Sequence, residues 1–288
     1  MPRPVTISAV QVPWTTEVSG AERRAWNLEM ATTYLEEAGA RGSDIACLGE
    51  TTNAVGIPLT AESLPLFAET LPGEFTTRLG AVARRHRMYV VCPLYAHADG
   101  AIRNVAVILD RAGEIIGWYA KVHCTQSERA YGVTPGDSWP VFALDFGRVG
   151  VQICHDNSFP ESARCLALNG AEIVFWPHVQ GGWGDVAWDA VLRARAIDNH
   201  LYLVAACYGT PPTQAWRPGM MVGRSGIVAP DGTVRADAGR YPGVATAVID
   251  LDQPRLAHDF TRGGDHPFWA DVLADRRPDT YQRLVASG

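Results

Sequence analysis

The 288-residue sequence has no charge run, no Pro/Ser-rich linker and no low-complexity tract. It therefore contains no obvious seam between domains, and residues 1–288 read as one domain. Its longest uninterrupted apolar run, "LYLVAACY" from Leu201, is far short of the ~20 residues needed to span a bilayer. The opening stretch, "MPRPVTISAV", runs straight into a strand-like segment without the apolar core of a signal peptide. The six cysteines (47, 92, 124, 154, 165 and 207) never fall at CxxC spacing, and most sit inside apolar segments. Reduced thiols and a cytoplasmic location are the expectation. Lys and Arg number 25 against 31 Asp and Glu, and no basic patch stands out. Nucleic acid and anionic membranes are thus excluded as expected partners.

What is present is alternation. Apolar strand-like segments at 5–12, 44–50, 88–96, 149–154, 172–178 and 201–209 are separated by helical patterns at 74–87, 160–170 and 188–199. Ser19 and Glu22 have capping-box spacing ahead of a helix carrying Trp26, Met30, Tyr34 and Leu35. Residues 104–122 read as two strands joined by a Gly-containing turn. Such a mixture of βα units and hairpins predicts an α/β fold with two mixed sheets and helices on their outer faces.

Three polar residues close apolar strands. Cys154 ends "VGVQIC", and Pro160-Glu161 then starts a helix. Glu50 ends "DIACLGE", and Lys121 ends "IIGWYAK". The carboxyl ends of strands are where α/β sheets place ligands. A thiol, a carboxylate and an ammonium there would supply a nucleophile, a general base and an oxyanion stabiliser. Taken singly, each reads more readily as a buried thiol or a strand reaching solvent. His123-Cys124 and Cys154-His155 raise the possibility of zinc, but adjacent ligands diverge on a strand, so no metal is expected. His178 and Trp183 follow the strand after the nucleophile helix and are candidates to face a pocket, as is Trp176 within that strand.

These stretches resemble the nitrilase superfamily of carbon–nitrogen hydrolases. "GVQICHDNSFPE" is similar to the cysteine motif throughout, "YAKVH" (119–123) to the lysine motif and "CLGE" (47–50) to the glutamate motif. Gly49 stands where that family usually has Pro. "RARAIDN" (193–199) and "GRSGIVAPDG" (223–232) resemble later segments, in family order.

The resemblance implies a four-layer α-β-β-α sandwich, with Glu50 as general base, Lys121 as oxyanion stabiliser and Cys154 as nucleophile. It also implies a second glutamate bordering the site, for which Glu128 is the candidate, and an oxyanion contact from the backbone N–H of His155. His155, His178 and Trp183 are the candidate substrate-binding residues. The implied reaction is hydrolysis of a small carboxamide or an N-carbamoyl amine through a thioester, with no cofactor. Nitriles are not expected substrates, because His155-Asp156 follows the cysteine where nitrile-cleaving members typically carry Trp-Glu. The alternatives are an ω-amidase or, from another class, an inactive nitrilase-like scaffold. A homodimer or a higher homo-oligomer built on a dimer unit is implied, paired through the helices after Cys154 and before Leu201, on the apolar residues Leu166, Leu168, Val191 and Leu192. Residues 255–288 are expected to form a C-terminal extension packing on the partner.

Overall fold

The computed structural model describes residues 2–15, 17–18, 20, 22–179, 185–214, 223–252, 257–259, 264–266 and 268–285. In chain order the elements begin β1 (Pro4–Pro13), α1 (Glu22–Ala40), β2 (Ile45–Cys47), α2 (Leu64–Phe67), α3 (Glu74–His86), β3 (Tyr89–Ala98), β4 (Ala101–Leu109), β5 (Ile115–Ala120) and α4 (Gln126–Ala130). There follow β6 (Val141–Ala143), β7 (Arg148–Val151), a 3₁₀ turn (Cys154–Ser158), α5 (Pro160–Leu168), β8 (Ile173–Pro177) and α6 (Asp185–Asn199). The last strands of this unit are β9 (Tyr202–Ala206), β10 (Tyr208–Gly209), β11 (Gly226–Val228), β12 (Val234–Asp237) and β13 (Gly243–Asp250).

Two mixed sheets result. The first runs β10-β1-β2-β3-β4-β5, with β13 antiparallel to β1. The second runs β12-β11-β9-β8-β7-β6. The strand period of two sorts their side chains between two cores. Val5, Ile7 and Ala9 of β1, Val91 of β3 and Ile108 of β4 join Val149, Val151, Ile173, Phe175 and Val204 in one buried cluster between the sheets. The alternate residues Val10, Val12, Val90, Leu94 and Val107 pack with Leu28 and Leu35 of α1 and Leu79 of α3. Strands buried on both faces have no polar side, which is why they read as continuous apolar runs. On the second sheet, a Cβ at Gly150 would stand 2.8 Å from Leu166 of α5, so the missing side chain lets that helix approach. The α-β-β-α sandwich is therefore the observed fold.

The expected elements form with shifted ends: β1 and α6 run longer than expected, and the two strands leading to Glu50 and Cys154 stop early. The strand ending in Glu50 stops at Cys47, and the strand ending in Cys154 stops at Val151. Both candidate residues sit just past a strand rather than in it. On α1 the buried face centres on Arg23, Asn27, Leu28, Ala31 and Leu35, with Trp26, Met30 and Tyr34 flanking it. Ser19 lies outside the described residues. Leu166 and Leu192 are fully buried within their own protomer and cannot form a partner surface. Leu168 is 36% and Ile197 46% exposed on the same two helices.

Residues from Asp252 onward, with the first two residues, cluster as a separate compact unit. Its described elements are a two-stranded hairpin (Ala257–Asp259 and Gly264–His266), a helix at Phe268–Ala274 and a final turn of helix at Gln282–Val285. Among the described residues no helix is long and apolar enough to cross a membrane.

Candidate active site

Glu50, Lys121 and Glu128 meet in one buried cluster, exposed by 2%, 1% and 5%. Lys121 lies one residue beyond β5, and its N–H donates to the Asn104 carbonyl of β4 at 2.9 Å. Its Nζ donates to Glu50 Oε1 at 2.7 Å and lies 2.8 Å from Glu128 Oε2. Burial alone disfavours the ammonium, but Glu50, Cys154 and Glu128 outweigh it and hold Lys121 well above the ordinary lysine range. For Glu128, burial favours the neutral acid. Hydrogen bonds from Lys121, Asn104 and the Thr125 N–H prevail and keep the carboxyl below its usual range.

Glu128 is also a helix cap. Thr125 Oγ1 accepts the Glu128 N–H at 3.2 Å, and Glu128 Oε2 accepts the Thr125 N–H at 2.8 Å. This reciprocal pair opens α4, and "TQSE" is the sequence signature that announces it. The loop carrying Glu50 is held from outside: Arg23 Nε and Asn27 Nδ2 of α1 both donate to the Val55 carbonyl, at 3.1 and 3.0 Å.

Cys154 opens the 3₁₀ turn with φ of 45°. Thr51, directly after Glu50, has φ of 51°. Left-handed backbone at a non-glycine residue is costly and persists where the surroundings enforce it. Around Cys154 those surroundings are Asp156 and Trp176. Asp156 is fully buried and accepts four hydrogen bonds, from Ile153 N–H (2.8 Å), Tyr119 OH (2.7 Å), His123 N–H (2.8 Å) and His123 Nδ1 (2.9 Å). It thereby staples the cysteine turn to the segment that carries Lys121. Trp176 Nε1 donates to the Cys154 carbonyl at 2.9 Å.

Burial first, and then the charge of nearby Glu50, push the Cys154 thiol well above the ordinary cysteine range. Lys121 and the Val179 N–H act in the opposite direction. That same N–H donates to Glu50 Oε2 at 3.2 Å. The site thus favours the protonated thiol beside Glu50. It can pass that proton to Glu50 when the sulfur forms a bond.

The expected binding residues fare unequally. His155 is half-buried, with its ring edge-on to Phe159 at 5.2 Å. His178 is fully buried and stacked on Trp176 at 3.9 Å, and burial lowers it to about 3, so it is neutral. Trp183 lies outside the described residues. His123 and Cys124 are engaged elsewhere: the ring with Asp156, the thiol with the Lys121 carbonyl at 3.7 Å. Among the described residues no three His, Cys, Asp or Glu side chains converge to hold a metal ion. Asn104 and Asp156 were not singled out by sequence reasoning.

A family model for carbon-nitrogen hydrolases matches residues 6–258. The chain belongs to that family. This hydrolase is 30% identical to omega-amidase NIT2 of Xenopus tropicalis over 236 residues, covering 78% of this chain and 83% of the relative. It is 28% identical to nitrilase homolog 2 of Dictyostelium discoideum, covering 78% and 71%. In fold it is similar to an amidase of Nesterenkonia AN1 from the nitrilase superfamily, with a TM-score of 0.73 at 22% identity over 97% of each chain. Saccharomyces cerevisiae Nit3 gives 0.72 at 22% identity, over 88% of this chain and 93% of that one.

Proposed function

We propose that this hydrolase cleaves the C–N bond of a small carboxamide through a thioester on Cys154. The observation that carries the reading is the buried cluster in which Lys121 Nζ donates to Glu50 Oε1 at 2.7 Å, with the Cys154 thiol near enough to feel both charges. Glu50 takes the thiol proton as the sulfur adds to the amide carbon. The carbonyl electron pair becomes an oxyanion, stabilised by Lys121 and the backbone N–H of His155. Collapse breaks the C–N bond. The departing nitrogen takes the proton from Glu50 and leaves as ammonia or an amine. Water then gives a proton to Glu50 and adds to the thioester. Expulsion of the sulfur, which regains that proton, releases the acid. A thiol suits this role because its ordinary pKa of ~8.5 lies within reach of a carboxylate base in a way a hydroxyl's does not.

The simple-amide reading is supported by the relatives named omega-amidase. A variant of the Nesterenkonia amidase carries the acetamide moiety of fluoroacetamide at its active site cysteine. N-Carbamoyl amines are the second substrate class, favoured by the likeness of "CHDNSFPESAR" and "LNGAEIVFWP" to that branch. We further propose a homodimer as the working unit, in keeping with the exposed apolar residues on α5 and α6.

The test is ammonia release from ω-amides, other aliphatic amides, N-carbamoyl amines and nitriles, with intact mass spectrometry of the quenched protein. An acyl adduct lost in Cys154→Ala is the expected result. Turnover by Cys154→Ala above about one per cent of wild type is incompatible with covalent catalysis, which loses orders of magnitude without its nucleophile. Nitrile turnover matching that of every amide would overturn the substrate assignment.

A further inference from the structure

Four polar atoms close a ring beneath Cys154. Lys121 Nζ donates to Glu50 Oε1 at 2.7 Å and to Glu128 Oε1 at 3.0 Å. Asn104 Nδ2 donates to the same two oxygens, at 2.8 and 2.7 Å. Donors and acceptors alternate around the ring, and each carboxylate oxygen receives one charged and one neutral donor. An amide nitrogen carries two protons, so these bonds use its whole donor capacity. Asn104 is fully buried in β4. Its side-chain oxygen has no hydrogen-bond partner among the described residues. Two facing carboxylates repel an amide oxygen, so they dictate that orientation even though it leaves a buried acceptor unpaired.

We propose that Asn104 is a positioning residue that keeps Glu50 and Glu128 ionised and apart, so that Glu50 is free to take the proton of Cys154. This rests on the reading of Glu50 as the general base. Two buried carboxylates sharing one ammonium carry a net charge of one, and such pairs tend to capture a proton. A proton captured by Glu50 would disable it as a base. Each Asn104 N–H favours the ionised form of the carboxylate that accepts it. Asparagine does this with no charge and no titration of its own. A hydroxyl would offer one proton for two acceptors, and a second ammonium would neutralise the pair and weaken the base.

Five neighbouring titratable groups do not titrate on the acid side of the pH profile, and His178, lowered to about 3, is neutral above that value. Tyr95 on β3 and Tyr208 on β10 are raised by burial and by the nearby carboxylates. Cys124 is pushed up to about 12. Cys154 and Lys121 are raised too. All five stay protonated through the acid and neutral range.

The test compares Asn104→Leu, which removes both N–H groups at similar volume, with the isosteric Asn104→Asp. Both are assayed for kcat and KM across the acid and neutral range, with circular dichroism to establish folding. The expected result is a fall in kcat of about tenfold or more with KM changing far less. The acid limb of kcat/KM should move up by about one pH unit in Asn104→Leu and further in Asn104→Asp, where a like charge is added. The sign follows from the base: activity needs ionised Glu50, and loss of a donor raises the pH at which it ionises. A space-filling role would leave the limb of Asn104→Leu where it was, and that result, or a change in KM alone, overturns the proposal.

Infrared spectroscopy of the resting wild type needs no variant to fold. No buried protonated-carboxyl band is expected at neutral pH, and one that disappears in Glu128→Gln would refute the ionised pair. Glu50→Gln serves as the control for the underlying reading. If it keeps turnover, the assignment of the base fails. If it loses turnover while the Asn104 variants keep the wild-type limb, only the role of Asn104 fails.

Discussion

The ring of Tyr208 lies against the bare Cα of Gly49, where any Cβ would stand 2.6 Å from it. From that position its hydroxyl donates to the carbonyl of Glu50 at 2.9 Å. Gly49 is the one departure from the family pattern around Glu50, and Tyr208 gives it a physical reason. The aromatic ring occupies the space that a proline at position 49 would need. The tyrosine at the end of the first sheet then ties down the backbone of the proposed base.

This pairing predicts non-additivity. Gly49→Ala should cost about 1–3 kcal/mol through overpacking, read as a drop in Tm, and should lower kcat by displacing Glu50. In a Tyr208→Ala background the ring is gone and the cost of Gly49→Ala should largely vanish. A double-mutant cycle measures this directly. Additive costs would show that the two residues do not constrain one another.

Lys121→Met should remove the cation from a cluster holding two carboxylates. Breaking a buried ion pair by removing one partner costs about 3–5 kcal/mol, so the variant should melt well below wild type. Turnover should fall by ~10²–10³, the loss for removing one oxyanion donor. A rise in KM with kcat unchanged would make Lys121 a substrate-binding residue instead.

Glu128 makes stability depend on acid. Its folded pKa lies below the unfolded value of ~4.3, so its stabilisation is complete above that pH and is lost as pH falls through the folded pKa. Wild type should therefore lose Tm on acidification more steeply than Glu128→Gln over that window. Glu69 works the other way: burial raises it despite the Phe75 N–H and Arg24, so the comparison must be made between the two proteins and not on wild type alone. Parallel Tm curves would show that folding does not lower the Glu128 pKa.

Much of this was legible in the sequence because strand period and strand ends are local signals. Val5, Ile7 and Ala9 alternate with Val10 and Val12 as a doubly buried strand requires. Glu50, Lys121 and Cys154 are the polar residues at which apolar runs stop. Asn104 carries no such mark: it sits inside "RNVAVIL", and only the pairing of β4 with its neighbours brings it under the carboxylates. Asp156 is one polar residue in a polar turn, and its four donors come from two separate segments. Glu128 could have been found locally, through the Thr125 capping box. The partner surface was misread in part because helical spacing shows which residues share a face but not which layer that face meets. Leu166 and Leu192 turn inward, while Leu168 and Ile197 remain outside.

Those two outward residues carry the assembly prediction. Sedimentation should give a dimer at micromolar concentration, and charged substitution at Leu168 and Ile197 together should shift it to monomer without loss of fold. A wild-type monomer would refute the pairing. A dimer indifferent to both changes would place the interface elsewhere.

The last prediction separates the two roles a carboxylate can play beside a thiol. If Glu50 served to ionise the resting sulfur, replacing it would make the thiol harder to deprotonate. The geometry gives the opposite sign. Burial raises Cys154 first and the charge of Glu50 raises it further, so Glu50 favours the proton on sulfur until attack begins. Glu50→Gln keeps the size and removes the charge, leaving Lys121 and the Val179 N–H to favour thiolate. The variant should lose hydrolysis, yet its Cys154 should be alkylated by iodoacetamide with a midpoint at lower pH than in wild type. The same titration in Glu50→Gln/Cys154→Ala gives the background from the other cysteines, of which Cys47, Cys92 and Cys124 are raised by burial. A midpoint shifted to higher pH would mean a resting thiolate paired with a protonated Glu50, and the base would then act only in the water-addition step.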